Sequence, residues 1–170
     1  MKSLINSHPM HHFKKLVIGA AICLSVIGVC TNTVTASSKN ETIKQNIQTL
    51  QKSDQRWIQV NLATQRLTAW EGGKAVYAVT ISTGKKSTPT RTGSFKIQSK
   101  HKSTRMRGRD YDVPNVPHAM FYQGNYGIHG AYWHKKFGTP VSHGCINVAP
   151  NHAKWLFNWS SIGTPVVIHK

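Results

Sequence analysis

Trp57-Ile58-Gln59-Val60-Asn61 opens a stretch that runs to Ile81 and reads WIQVNLATQRLTAWEGGKAVYAVTI. Ile58 and Val60 alternate with Gln59 and Asn61, and Leu67 and Ala69 alternate with Thr68 and Trp70. A period of two marks a strand with one buried face. Glu71-Gly72-Gly73-Lys74 is a hairpin signal between the second run and the third. Tyr77, Val79 and Ile81 then share one face of Ala75 to Ile81. Outward from there, Ser94 to Gln98, Met120 to Tyr122, Tyr126 to His129 and Pro165 to His169 read as further short strands. One helix is predicted in this region. Asn151, after Pro150, is placed to cap Ala153 to Trp159, with Ala153, Leu156 and Phe157 inward and Gly163 and Pro165 past its end. Several short strands with turns between them predict a mostly β domain, sandwich-like or barrel-like, with one packed helix.

The N-terminal side reads differently. Lys14 and Lys15 precede an apolar run from Leu16 to Cys30, and Val34-Thr35-Ala36 is a small-residue cleavage site. Such a run is short for a spanning helix and suits a secretory leader. Residues 1–36 are therefore expected to be a signal peptide, with an uncleaved signal anchor as the alternative, and the protein is expected in the cell envelope. Residues 37–56 are polar and are expected to be a linker. Ile43, Ile47 and Leu50 have helical spacing within it. The domain proper is expected over residues 57–170. Without a second long apolar run, a multi-span membrane protein is excluded.

With 22 Lys+Arg against 5 Asp+Glu, the 170-residue chain carries a formal charge of +17. Removing the leader takes away only Lys2, Lys14 and Lys15, leaving +14. The basic run Lys100 to Asp110 interrupts the strand pattern and reads as a long exposed loop. Export makes nucleic acid a poor partner for it. Anionic envelope polymers are better ones.

Cys23 and Cys30 leave with the leader, so Cys145 is the one remaining thiol. An unpaired thiol outside the cytoplasm is a candidate nucleophile. Ser142-His143-Gly144-Cys145-Ile146-Asn147 surrounds it, and Gly127-Ile128-His129-Gly130 lies upstream. An imidazole takes the thiol proton and holds the thiolate as an ion pair. A third group fixes its tautomer, and backbone N–H groups face the developing oxyanion. Gly144 lets the chain turn at that point. Both His129 and His143 are candidates for the base. A zinc site made of Cys145, His143 and His129 is the alternative, although the paired spacing of structural zinc ligands is absent. His101, His118, His134, His152 and His169 read as surface or packing residues.

Taken together, these residues resemble the signature of the L,D-transpeptidase catalytic (YkuD-type) family. The match rests on Ile128-His129-Gly130 and on Ser142-His143-Gly144-Cys145-Ile146-Asn147. Ser82-Thr83-Gly84, Thr88 to Phe95, Ile58 to Asn61 and Gly163 to Ile168 agree with it in order. The resemblance implies a mostly β, two-sheet sandwich with one or two short helices, no cofactor and no metal. It implies a cysteine acyltransferase acting on peptidoglycan stem peptides, donor and acceptor, and acylated by carbapenem-type β-lactams. Cys145 is then the nucleophile. His129 is the base, oriented by the Gly130 carbonyl. His143 shapes the site, and amides of His143, Gly144 and Cys145 form the oxyanion hole. Tyr111, Met120, Tyr122, Trp133 and Asn147 are expected to line the substrate groove. L,D-carboxypeptidase action, D-amino-acid exchange and a non-catalytic wall-binding module are the competing readings.

Overall fold

The computed structural model describes residues 31–170, so the expected leader falls mainly outside the described residues. Residues 31–36 belong to the first helix, α1 (Thr31–Gln51). Nine strands and a second helix follow: β1 (Arg56–Asn61), β2 (Arg66–Glu71), β3 (Lys74–Thr80), β4 (Gly93–Lys96), β5 (Ser99–Arg107), β6 (Asp112–Gln123), β7 (Tyr126–Gly130), β8 (Ile146–Val148), α2 (Pro150–Trp159) and β9 (Pro165–His169). Among the described residues no helix is long and apolar enough to cross a membrane.

Alternation along the strands builds two sheets. The first runs β3-β2-β1-β9-β4 and the second β5-β6-β7-β8. Both are mixed, because β1 pairs with β9 and β7 with β8 in parallel. The β2–β3 hairpin closes on Gly72-Gly73, with Glu71 opposite Lys74. Ile58, Val60, Leu67, Ile128, Ile146, Val166 and Ile168 come from both sheets into one buried cluster. Ala153 and Leu156 add the inner face of α2 to it. The predicted mostly β, two-layer architecture is therefore the observed one.

The opposite face of the first sheet is covered as well. Trp57 and Val167, one residue out of phase with Ile58 and Val166, meet Ile43, with Ile47, Leu50 and Trp70 around them. The segment expected as a linker is thus helical through Gln51, and its apolar stripe is docked on the domain. The helical spacing of Ile43, Ile47 and Leu50 carried that signal. Burying an Ile of this kind stabilises by about 1.5–3 kcal/mol.

Three local expectations are corrected. Lys100 to Arg107 is not a loop but most of edge strand β5. Charged side chains on an edge strand discourage pairing with other chains, so a basic run and a strand are compatible there. Much of its charge is engaged at home. Lys100 Nζ donates to the Phe157 and Ser160 carbonyls at the end of α2. Arg105 and Arg107 both pair with Asp112. Asn151 does not cap α2: Ala149 occupies that position and Pro150 begins the helix, where a missing N–H costs nothing. Finally, β6 is twelve residues long despite Pro114 and Pro117, because Asn115 and His118 take positive φ of 50° and 54° and let the strand bend past them.

Candidate active site

Register places the chemistry. In the parallel β7–β8 pair, Ile128 faces Ile146 and His129 faces Asn147. The two isoleucines point into the core, so His129 and Asn147 project from the other face. Cys145, two residues before Asn147, shares their side. All three line a cavity of about 220 Å³ together with Tyr111, Trp133 and His143.

The segment bearing Cys145 is held by the connection between β3 and β4. Thr83 O accepts from the amides of Val141 and Ser142 at 2.9 and 3.0 Å. Thr88 Oγ1 donates to Ser142 O at 3.0 Å. Thr90 Oγ1 accepts from Gly84 N–H at 2.8 Å and donates to Gly144 O at 2.9 Å. The loops approach so closely that a Cβ on Gly84 would lie 2.9 Å from Gly144 Cα and 2.2 Å from Thr88 O. Gly144 has φ +114°, and a Cβ there would lie 2.6 Å from the Tyr126 ring. Only glycine meets both demands.

His129 is 2% exposed. Its Nδ1–H donates to Gly130 O at 3.1 Å, which leaves the Nε2 lone pair free. Burial pushes its pKa down to about 4, against a smaller upward pull from Gly130. Burial also pushes the Cys145 thiol up, partly offset by the Gly127 backbone. Sγ lies 3.5 Å from Asn125 O, a weak acceptor for the S–H proton. Burial thus works against the charged form of each group.

His143 has a different setting. Its Nε2 lies 3.1 Å from Asp110 Oδ2 and 3.4 Å from Lys85 Nζ. The Tyr111 ring packs 4.8 Å from the imidazole, centroid to centroid. The His143 side chain holds the Asp110 carboxyl below the usual carboxylate range. His143 thus ties the β5–β6 turn to the rim of the cavity. Tyr111 comes with that turn, its phenol pushed up first by burial and then by Cys145 nearby.

The expected oxyanion donors divide. Gly144 N–H donates to Ser142 Oγ at 3.1 Å, and that hydroxyl donates in turn to Cys145 O at 2.6 Å. The Gly144 amide is engaged and is not an available donor. Among the described residues the His143 and Cys145 amides find no acceptor in the protein. Met120 and Tyr122 are not groove residues: they are 0% and 1% exposed. Both belong to the buried core cluster, with Met120 opposite Ile128 in the β6–β7 pair.

Sequence reasoning missed Met106, Val113, His134 and Val141 in the cavity wall. It also missed Thr90 and Asp110 behind it. Met106 and Val113 had a signal in the alternation now visible in β5 and β6. For Asp110 and Thr90 no local pattern distinguishes them. The other set-aside histidines do pack elsewhere: His101 on Phe121, His118 on Phe157, His152 on Tyr77 and His169 beside Gln59. Among the described residues no group of three His, Cys, Asp or Glu side chains converges as a metal-binding set.

A family model, the L,D-transpeptidase catalytic domain (YkuD), matches residues 55–168. This chain belongs to that family. L,D-transpeptidase 1 of Mycobacterium tuberculosis (strain ATCC 25618 / H37Rv) is 28% identical over 120 residues, covering 64% of this chain and 48% of the relative. The chain thus spans about half the length of that curated relative. Among solved structures, a Cys-to-Ser mutant of the Enterococcus faecium L,D-transpeptidase superposes with a TM-score of 0.64 at 31% identity, over 68% of this chain and 50% of that one. An LD transpeptidase in complex with imipenem gives 0.64 at 27% identity, over 69% and 60%. The matched residues span both sheets and α2.

Proposed function

We propose that the protein is a peptidoglycan L,D-transpeptidase that uses Cys145 as its nucleophile and works in the cell envelope. The observation that carries the reading is the placement of Cys145, His129 and Asn147 on one face of β7–β8, in one cavity. The donor is a stem tetrapeptide. As Sγ attacks the carbonyl of the third residue, His129 Nε2 takes the S–H proton. The tetrahedral oxyanion is held by the His143 and Cys145 amides. The C–N bond to the terminal D-Ala breaks, and its amine leaves with the proton from His129. A thioester remains on Cys145. An amine of a neighbouring stem then attacks, the C–S bond breaks, and the thiol is regenerated with a 3→3 crosslink formed. Water as acceptor gives a carboxypeptidase, and a free D-amino acid gives exchange.

Burial disfavours both the thiolate and the imidazolium, which favours proton transfer concerted with attack. Substrate binding excludes water from the cavity and brings the carbonyl to the sulfur. The net basic surface suits a polymer carrying carboxylates and phosphates.

Intact-mass spectrometry with imipenem tests the reading on wild type beside Cys145→Ala. A one-to-one adduct on the wild type alone is expected. A folded wild type that takes no adduct would overturn it. Product analysis with tetrapeptide muropeptides then separates crosslinking from hydrolysis and exchange.

A further inference from the structure

His134 lies between β7 and β8 and lines the same cavity as Cys145 and His129. Each ring nitrogen has one neighbour. Nδ1 lies 3.1 Å from the Lys136 backbone nitrogen, which donates to it. A main-chain N–H acts only as donor, so Nδ1 carries a lone pair. A neutral imidazole with its lone pair on Nδ1 carries its proton on Nε2. Burial, then the Lys136 charge, holds His134 below the ordinary histidine value, which favours the neutral ring.

Nε2 lies 2.9 Å from Nδ2 of Asn147. An N–H there meets an acceptor only if the amide presents its oxygen. The two ends of an amide are told apart by their partners alone, so the partners decide. A neutral ring cannot accept from both Lys136 N–H and Asn147 Nδ2, so the amide must turn by half, with Oδ1 toward His134 Nε2–H and the NH2 group on the other side. Asn147 is 3% exposed and sits opposite His129 in the ladder. Its backbone is fixed by two bonds to Ser82, at 2.9 and 2.8 Å, so the side chain has little freedom beyond that half-turn. The imidazole is itself wedged against Phe137, at 5.0 Å between centroids, and Trp133, at 6.2 Å.

We propose that His134 is a positioning residue for acyl transfer: as its Nε2–H tautomer it fixes the Asn147 amide so that the NH2 group faces the cavity and donates to a carbonyl of the donor peptide. This rests on the acyl-transfer reading above and adds a residue that the sequence places among its packing histidines.

Three variants and one spectrum test it on the full chain. Long-range 1H–15N NMR is expected to find Nε2 of His134 protonated and Nδ1 bare. His134→Gln places an amide donor where Nε2–H stood and is expected to keep the imipenem acylation rate within about threefold. His134→Ala loses about tenfold, the size of one hydrogen bond to a neutral group. His134→Glu presents an acceptor, turns the Asn147 NH2 group away from the cavity, and falls below His134→Ala in kcat/KM for a stem tetrapeptide. A protonated Nδ1 overturns the proposal. So does a reactive wild type whose Gln and Ala variants fall equally, since a packing role gives donor chemistry no advantage. A wild type inert to both imipenem and the tetrapeptide overturns the acyl-transfer reading first and this proposal with it.

Discussion

Thr90→Val removes one hydroxyl and keeps the shape. That hydroxyl accepts from Gly84 N–H at 2.8 Å and donates to Gly144 O at 2.9 Å, and Thr90 is 5% exposed. The variant leaves a backbone donor and a backbone acceptor without partners. Each buried orphan costs about 1–3 kcal/mol, so the pair costs roughly 2–6 kcal/mol. For a domain of this size each kcal/mol moves Tm by about 3–5 °C, which puts the loss at roughly 6–30 °C. The effect on chemistry is separate. Gly144 O is one of the points where the loop bearing Cys145 is pinned, and a displacement of about 1 Å of a reacting group costs up to about a hundredfold in rate. Imipenem acylation measured by stopped-flow absorbance, at a temperature where the variant is fully folded, should slow by about 10–100-fold. Thr90→Ser keeps the hydroxyl and should stay within about 1 kcal/mol and a few-fold of wild type. A Thr90→Val protein with unchanged Tm and unchanged acylation would refute the idea that the β3–β4 connection holds the nucleophile.

Other outcomes follow from the same geometry. The buried His129 is held at about 4 against an ordinary value near 6.5. Its folded pKa is depressed, so the stability it contributes is fully present above pH 6.5, declines as pH falls toward 4, and levels off below. The loss is roughly 2–4 kcal/mol, and denaturant titrations should find that component missing in His129→Phe. Because burial raises the Cys145 thiol, alkylation by iodoacetamide should be slow at neutral pH and keep accelerating beyond the ordinary thiol range. A fast plateau at neutral pH would point instead to a preformed ion pair. Ile43→Ala should cost about 2 kcal/mol, read as a fall in Tm, and leave the acylation rate at 25 °C unchanged, because α1 covers the face of the first sheet turned away from the cavity.

The strands around Trp57 to Ile81 were legible because apolar residues recur at every second position, as in Ile58 and Val60, Leu67 and Ala69, and Tyr77 and Val79. β5 was not, because Lys, Arg and His fill most of its exposed positions and, of its half-buried Ser99, Lys100, Thr104 and Met106, only Met106 is apolar. Charge masked a period of two that an edge strand is free to carry. The docking of α1 was half legible. Its stripe of Ile43, Ile47 and Leu50 could be seen, but its partner surface required knowing that Trp57 and Val167, far apart in sequence, become neighbours across the parallel β1–β9 pair.

The site divides along the same line. Cys145 and His129 stand in short contiguous motifs, so their chemistry was readable from spacing. Thr90, Asp110 and His134 act across loop contacts that no local pattern announces. The errors at Met120 and Tyr122 are the instructive ones, because a signal was available. They stand two apart, the spacing of one strand face, and both join the core cluster. Proximity in sequence to a catalytic His suggested a groove, while periodicity assigned them to the core. Burial outweighs proximity there, since exposing both side chains would forfeit several kcal/mol, about 1.5–3 for each, and no substrate contact restores that in the free enzyme. The same weight of burial acts on His129: a fold that buries it against the Gly130 carbonyl also depresses its basicity, so orientation comes at the expense of charge.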